Sequence, residues 1–402
     1  MSDRIISSIS IPVSRLDVFA RLRAEIRQAM EVALEEELEA ALGAAWYKRS
    51  KPRSGYRNGS LERDVATEHG ATSLRIPRGR LFTEEGSTQE WRSELLPRYQ
   101  RRTRAVDDAI LGLYFAGANT RRIRLGLQSL FRGAHLSKST VSRVVAQMKV
   151  HFEAFRSRDL SDERCVYVFL DGFPLSVRLA RRVVKVPVQV ALGVHEDGSK
   201  VLLSLSIAAS ESTASWTSVI EDLHHRGLVS PLLVIADGNP GLCRAIRESW
   251  PGAAIQRCTK HKLENLKAKA PKHVHAELKR DYDRIVYASN LEAGKSAREA
   301  FRKKWTLLSK EVVKSLEEAG DDLLSFYAFP QSQWKSLRTS NPLERLNGEF
   351  RRRTKTQGSF RNEDSALVLL YGLIAVGQIR LRSIDGCRDM HLVTQGHLQQ
   401  VA

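Results

Sequence analysis

The sequence predicts a mixed α/β core preceded by a mainly helical region. Three apolar, β-branched segments lie next to one another between Cys165 and Ala208. Helical and strand patterns then alternate from Ser215 to Cys258, and helical periodicity dominates both before Phe155 and after His261.

The chain has 402 residues, enough for two to four domains at roughly 100–200 residues each. Lys and Arg number 64 against 46 Asp and Glu, so the net charge of +18 favours a polyanionic partner. Hydrophobic residues at 42% and charged residues at 27% are ordinary for a globular protein and exclude a largely disordered chain. The longest apolar stretch, Leu367 to Ile379, is broken by Gly372, Gly377 and Gln378, short of the roughly 18 residues a membrane span needs. The start, MSDRIISSIS, lacks the pattern of a secretory signal, and four cysteines fit a reducing compartment. The expectation is an intracellular protein without a membrane partner.

Residues 1–46 read as an N-terminal amphipathic helix, with Val18, Leu22, Ile26, Met30, Leu34, Leu38 and Leu42 on one stripe that docks either on the protein's own core or on a second copy. Residues 47–104 read as a small basic, β-rich or looped module. In it Tyr56 and Arg57 suit stacking and phosphate contact, or simply a solvated loop. Residues 105–158 read as three helices with the spacing of a helix-turn-helix. The N-terminal end of its last helix carries Ser137, Lys138, Ser139, Thr140 and Arg143, placed for DNA contact.

A polar link at Asp159-Leu160-Ser161-Asp162 opens the core, residues 159–262. CVYVFL, VVKVPVQVALGV and VLLSLSIA read as three antiparallel strands, the last two joined at an Asp197-Gly198 turn. LLVIA and the segment from Ala253 to Cys258 follow as strands alternating with helices. The order βββαβαβα is that of the ribonuclease-H-like fold, whose first and fourth strands lie side by side and parallel. Residues 263–335 read as a helical insertion, and 336–402 as closing helices of the same core.

Two apolar strands end in a carboxylate followed by glycine: Asp171 in FLDGF and Asp237 in IADGN. A charge there is costly unless paired or bound to a cation, and the expected strand order makes the two neighbours although they are 66 positions apart. Each Asp-Gly pair also suits a plain turn. A third carboxylate should come from a helix against that edge. Glu344 lies in the first turn of one capped by Ser340 or Asn341 and opened by Pro342, where an acid is also favoured by the helix dipole. Glu349, on the same helix, points about 140° away.

Cys258 and His261 form a C-x-x-H pair of the kind that supplies half of a zinc site; His273 and His275 are candidates for the other half but lack ligand-like spacing with a second Cys. A structural or DNA-positioning role is the preferred reading. Lys260 and Lys262 beside it, and Arg345, Arg351, Arg352, Arg353, Lys355 and Arg361 around Glu344, are candidate phosphate contacts or a solvated basic face.

LDGFPLSVR, IADGNPGLCRAI, QRCTKHKLENL and SNPLERLNGEFRRRTKTQGSF, in this order and with YRNG, LPRYQRR and the helix-turn-helix pattern before them, resemble bacterial transposases of the Mutator-like insertion-sequence family. The resemblance spans most of the chain. It implies a DDE transposase with a ribonuclease-H-like core, with Asp171, Asp237 and Glu344 as catalytic and metal-binding residues and Cys258 and His261 as the family's C-x-x-H motif. It further implies two Mg²⁺ ions, replaceable by Mn²⁺, and a homodimer in the bacterial cytoplasm at the nucleoid. Double-stranded DNA, as terminal inverted repeats and as target, is the implied partner, cleaved to free 3′-OH groups that are then joined to the target. An inactive DNA-binding regulator and a nuclease or resolvase that does not join are the alternatives.

Overall fold

The computed structural model describes residues 13–46, 53–116, 118, 120–128, 138–179, 182–355, 360 and 362–393. The chain divides into two compact units, residues 1–146 and 147–402. Among the described residues no helix is long and apolar enough to cross a membrane.

The first unit starts with helix α1 (Val13–Leu42), followed by strands β1 (Gly55–Thr67), β2 (Gly70–Phe82) and the short β3 (Thr88–Glu90) in one antiparallel sheet. Leu34, Leu38 and Leu42 recur every four residues and are buried; Leu34 packs with Val65, Leu74, Ile76 and Leu96. This part of the helix therefore docks on its own unit. Helices α2 (Arg104–Phe115), α3 (Thr120–Gln128) and α4 (Lys138–Ser157) follow, with Val106, Ile110, Ile123, Leu127 and Val144 in a second core. The last turns of α4 belong to the second unit.

The second unit is built on a five-stranded mixed sheet. Its strands are β4 (Cys165–Leu179), β5 (Arg182–His195), β6 (Lys200–Ile207), β7 (Leu233–Ala236) and β8 (Ala254–Arg257), in the spatial order β6-β5-β4-β7-β8. The first three are antiparallel neighbours, and β4 pairs parallel with β7, as β7 does with β8. The expected adjacency of first and fourth strands is present. The β5–β6 turn has Gly198 at φ +79°, a conformation that favours glycine, and Asp197 accepts the Ser199 N–H at 2.8 Å.

Alternation of side chains along β4 separates two faces. Val168 and Leu170 join a core with Trp216, Ile220 and Leu223 of α5 (Thr213–His225) and Leu242 and Ile246 of α6 (Pro240–Ser249). Tyr167, Phe169, Asp171 and Phe173 belong to the other face. Between β8 and the closing helices run α7 (Thr259–Ala268), α8 (His275–Val286), α9 (Leu291–Leu308), α10 (Lys310–Glu317) and the single turn α11 (Trp334–Leu337). Helix α12 (Asn341–Lys355) packs on β4 and α13 (Glu363–Ala375) on β6.

One boundary differs from expectation. Strand β4 does not end at Leu170 but continues to Leu179, because its second half pairs with the first half of β5, Asp171 opposite Val190 and Leu175 opposite Val186. Asp171 is thus a mid-strand residue on the β5 side. Only on the β7 side does pairing stop at Leu170.

Candidate active site

The parallel register of β4 and β7 pairs Leu170 with Ala236, so the residues that follow, Asp171 and Asp237, emerge side by side at one edge. Asp171 is 7% exposed. Burial, and next the charge of Asp237, push its carboxyl up to about 7; His261 and the Gly172 N–H oppose that rise, and Glu344 adds to it. Its Oδ1 accepts the Gly172 N–H and its Oδ2 the Asn347 amide, each at 3.0 Å.

Asp237 also has the turn role that Asp-Gly suggests. Its Oδ1 accepts the Asn239 N–H at 2.8 Å, and Asn239 in turn caps α6 by accepting from Gly241 and Leu242. Gly238 has φ +90°, and a Cβ there would lie 2.5 Å from the Arg257 guanidinium, which donates to the Gly238 carbonyl at 3.0 Å. Only glycine satisfies both conditions.

Glu344 reaches the site from the first turn of α12. Lys260 of α7 ion-pairs with it, and the Nε2 of His261 lies 3.7 Å from its Oε1. Ser340, just before the helix, directs its N–H and its hydroxyl to the Sγ of Cys258, both at 3.3 Å. Burial pushes the Cys258 thiol up, but the hydrogen bond and charge of His261 outweigh it and leave it below its ordinary value; the same hydrogen bond raises His261 to about 9. Cys258, His261 and Glu344 each place one potential ligand atom within 4.8 Å of the others. The third group beside the C-x-x-H pair is therefore the distant Glu344. His275 instead bonds the Ala270 carbonyl.

A fourth carboxylate borders this edge. Glu211, in the loop before α5, has Oε1 at 2.6 Å from where a Cβ on Gly172 would stand, and burial followed by the charge of Asp237 raises its carboxyl. It lies in the polar run SESTAS, which carries no periodic or motif signal. Asn347 is the other residue that sequence reasoning passes over. It does leave a trace, as a polar side chain at a helical position where Leu343, Leu346 and Phe350 are buried.

The basic candidates divide. Arg345, Arg351, Arg352 and Lys355 are exposed on α12, while Arg353 donates to Gln378 at 2.6 Å. Glu349 pairs with Arg352, away from Asp171. Two candidate phosphate contacts are engaged by protein partners. Lys262 is 2% exposed and gives its ammonium to the Ser315 carbonyl and Glu318. The guanidinium of Arg57 is taken by Glu35 and Glu39 of α1 and lies 4.5 Å over Trp46. Tyr56 is exposed beside Phe82, and Ser139 and Arg143 are exposed on α4, whereas Thr140 is buried. Ser137, Arg361 and the Lys138 side chain lie outside what the structure describes.

A family profile described as "Transposase, Mutator family" matches residues 12–378. Among individual relatives, the transposase for insertion sequence element IS905 of Lactococcus lactis is 34% identical over 350 residues, which covers 87% of each chain. The transposase for ISRM5 of Rhizobium meliloti is 35% identical, covering 88% of this chain and 86% of that one. The transposase for IS1081 of Mycobacterium tuberculosis is 34% identical, with 88% and 84% covered. A solved Drosophila P element transposase strand transfer complex aligns with 68% of this chain and 79% of its own at 10% identity and a TM-score of 0.29, too slight a likeness to bear on the fold.

Proposed function

We propose, starting from the fact that the chain belongs to the Mutator family of transposases, that it is the DDE transposase of an insertion sequence, using Asp171, Asp237 and Glu344 as its catalytic carboxylates. It binds the terminal inverted repeats of its element, hydrolyses the DNA ends with Mg²⁺ and joins the freed 3′-OH groups to target DNA. Its second unit is a ribonuclease-H-like core, a reading supported by the strand order β6-β5-β4-β7-β8 with its antiparallel and parallel halves. Helices α3 and α4 form the helix-turn-helix that reads the repeats, and two copies hold the two ends.

The observation that carries this reading is the convergence at Asp171. Strand register sets Asp237 beside it, and α12, the helix that carries Glu344 173 positions later in the chain, reaches it through the Asn347 amide. A buried carboxylate among like charges is costly in ionised form, and a hard divalent cation with oxygen ligands offsets that cost. The donor set fits such ions, with Asp171, Asp237 and Glu344 as their holders. A bound pair of divalent cations would make water a stronger nucleophile and stabilise the leaving 3′ oxygen.

The chain's own residues do the rest. Asp171 would give up its proton on binding a cation, and its hydrogen bonds from Gly172 and Asn347 hold its orientation. Lys260 compensates the charge of Glu344 beforehand. Arg345, Arg351 and Arg352, exposed on α12, draw the phosphate backbone toward an edge that is otherwise acidic.

The test is incubation of labelled element-end DNA with Mg²⁺ and either wild type, Asp171→Asn or Glu344→Gln. Metal-dependent nicking and joining by wild type alone is the expected result. No nicking by wild type defeats the proposal, and cleavage without joining would make the protein a nuclease.

A further inference from the structure

We infer that Asn347 is a positioning residue that orients Asp171 for metal binding; this rests on the metal-dependent reading of the same site. The inward face of α12 consists of Leu343, Leu346, Asn347, Phe350 and Thr354, and Asn347 is 1% exposed. Burying an amide on such a face is unfavourable unless its groups are bonded. Only half of this amide is. Its Nδ2 donates to Asp171 Oδ2 at 3.0 Å, while its Oδ1 is buried without a hydrogen-bond partner among the described residues. A leucine of similar size would fill the place without an orphaned acceptor, so packing does not account for the asparagine. Its one hydrogen bond does.

That bond completes the grip on Asp171. The backbone N–H of Gly172 holds Oδ1 and Asn347 holds Oδ2, which fixes the carboxylate plane and leaves its remaining lone pairs in set directions. Asn347 stands three residues after Glu344, so the two share a side of the helix. A further three residues on, Phe350 stacks on Phe173 of β4 with centroids 5.8 Å apart. Asn347 thus ties the helix that supplies the third carboxylate to the strand that supplies the first. Partners of this kind, which bond a metal ligand rather than the metal, affect metal affinity by about 10- to 100-fold.

The experiment is Mn²⁺ binding to the full-length protein, measured by electron paramagnetic resonance of the free ion, with thermal unfolding in parallel. The site-specific component is the part that Asp171→Asn abolishes. Asn347→Leu is expected to stay folded yet bind Mn²⁺ at least about tenfold more weakly. Phe350→Leu, a packing control, is expected to melt lower with Mn²⁺ affinity unchanged. Should Asn347→Leu fail to fold, Asn347→Ala, which adds no bulk, reads the same loss. Wild-type affinity in a folded Asn347 variant overturns the inference, as does an equal loss of affinity in Phe350→Leu. A wild type with no site-specific Mn²⁺ would instead sink the metal-dependent reading, and this inference with it.

Discussion

Lys260, second residue of α7, is ion-paired with Glu344 in the first turn of α12, so a cation already stands beside the acid that is proposed to hold a metal. The lysine side chain is half exposed, and such a pair contributes about 1 kcal/mol or less to stability. Its larger effect is on an arriving divalent ion, which meets a like charge. Lys260→Gln is therefore expected to leave the unfolding midpoint almost unchanged and to tighten Mn²⁺ binding several-fold at low ionic strength. Calorimetric titration of both proteins decides it; weaker binding in the variant would mean that the lysine supports the site.

Asp171 ties the stability of the metal-free protein to pH. Its carboxyl is raised by burial, and then by Asp237, to about 7. Between the ordinary carboxylate range near 4 and about 7, the folded state keeps a proton that the unfolded chain has released. Stability therefore falls as pH rises through that window and levels off above it, by an amount on the order of a few kcal/mol. In chelator, urea midpoints at pH 5 and pH 8 should show this loss in wild type and much less of it in Asp171→Asn, which carries no charge to bury. A wild type that loses no more than the variant would contradict the assigned environment of Asp171.

Glu211 and Gly172 make a linked pair. A methyl group on residue 172 would come within 2.6 Å of the Glu211 Oε1 and push that carboxylate aside. The end of a flexible side chain moves at little cost, so Gly172→Ala is expected to unfold within about 1 kcal/mol of wild type. If the Glu211 carboxylate takes part at this edge, Gly172→Ala and Glu211→Gln should lower DNA cleavage by similar factors and add little to each other in the double variant. Additive losses would separate the two residues.

Asp237 and Glu344 are legible as acids at element ends, one directly after an apolar strand and one in the first turn of a Pro-opened helix, whereas Asp171 looks like a strand end in sequence but lies inside β4, with only the β7 pairing stopping before it. The strand order then follows from a three-strand meander leading into βα units. Arg57 and Lys262 mislead because a basic residue looks alike in sequence whether it is solvated or paired. Their partners lie 22 and 18 residues earlier, at Glu35 and Glu39, and 56 residues later, at Glu318, and only the fold brings them together. The continuation of β4 past Asp171 is hidden in the same way, since FPLSVRL becomes a strand by pairing with β5.

The two kinds of basic residue should separate in solution. Glu318 compensates both Lys262 and Arg257, the latter 5% exposed and bonded to it at 2.8 Å. Glu318→Gln removes the carboxylate that both cations share and, because that side chain is half exposed, is expected to destabilise the protein by about 1–2 kcal/mol, measured by chemical denaturation. Lys262→Met, which removes one buried charge and keeps the aliphatic stem, should cost less. Neither change touches the basic surface of α12, so the dependence of DNA binding on salt should keep its slope. Arg351→Ala and Arg345→Ala on α12 should do the reverse, leaving stability within about 0.5 kcal/mol and lowering the magnitude of the slope of log K against log salt by about 0.9 for each phosphate no longer neutralised. An unchanged slope in both arginine variants would remove α12 from the DNA-binding surface, whereas a reduced slope in a folded Lys262→Met would show that this lysine leaves Glu318 to reach DNA.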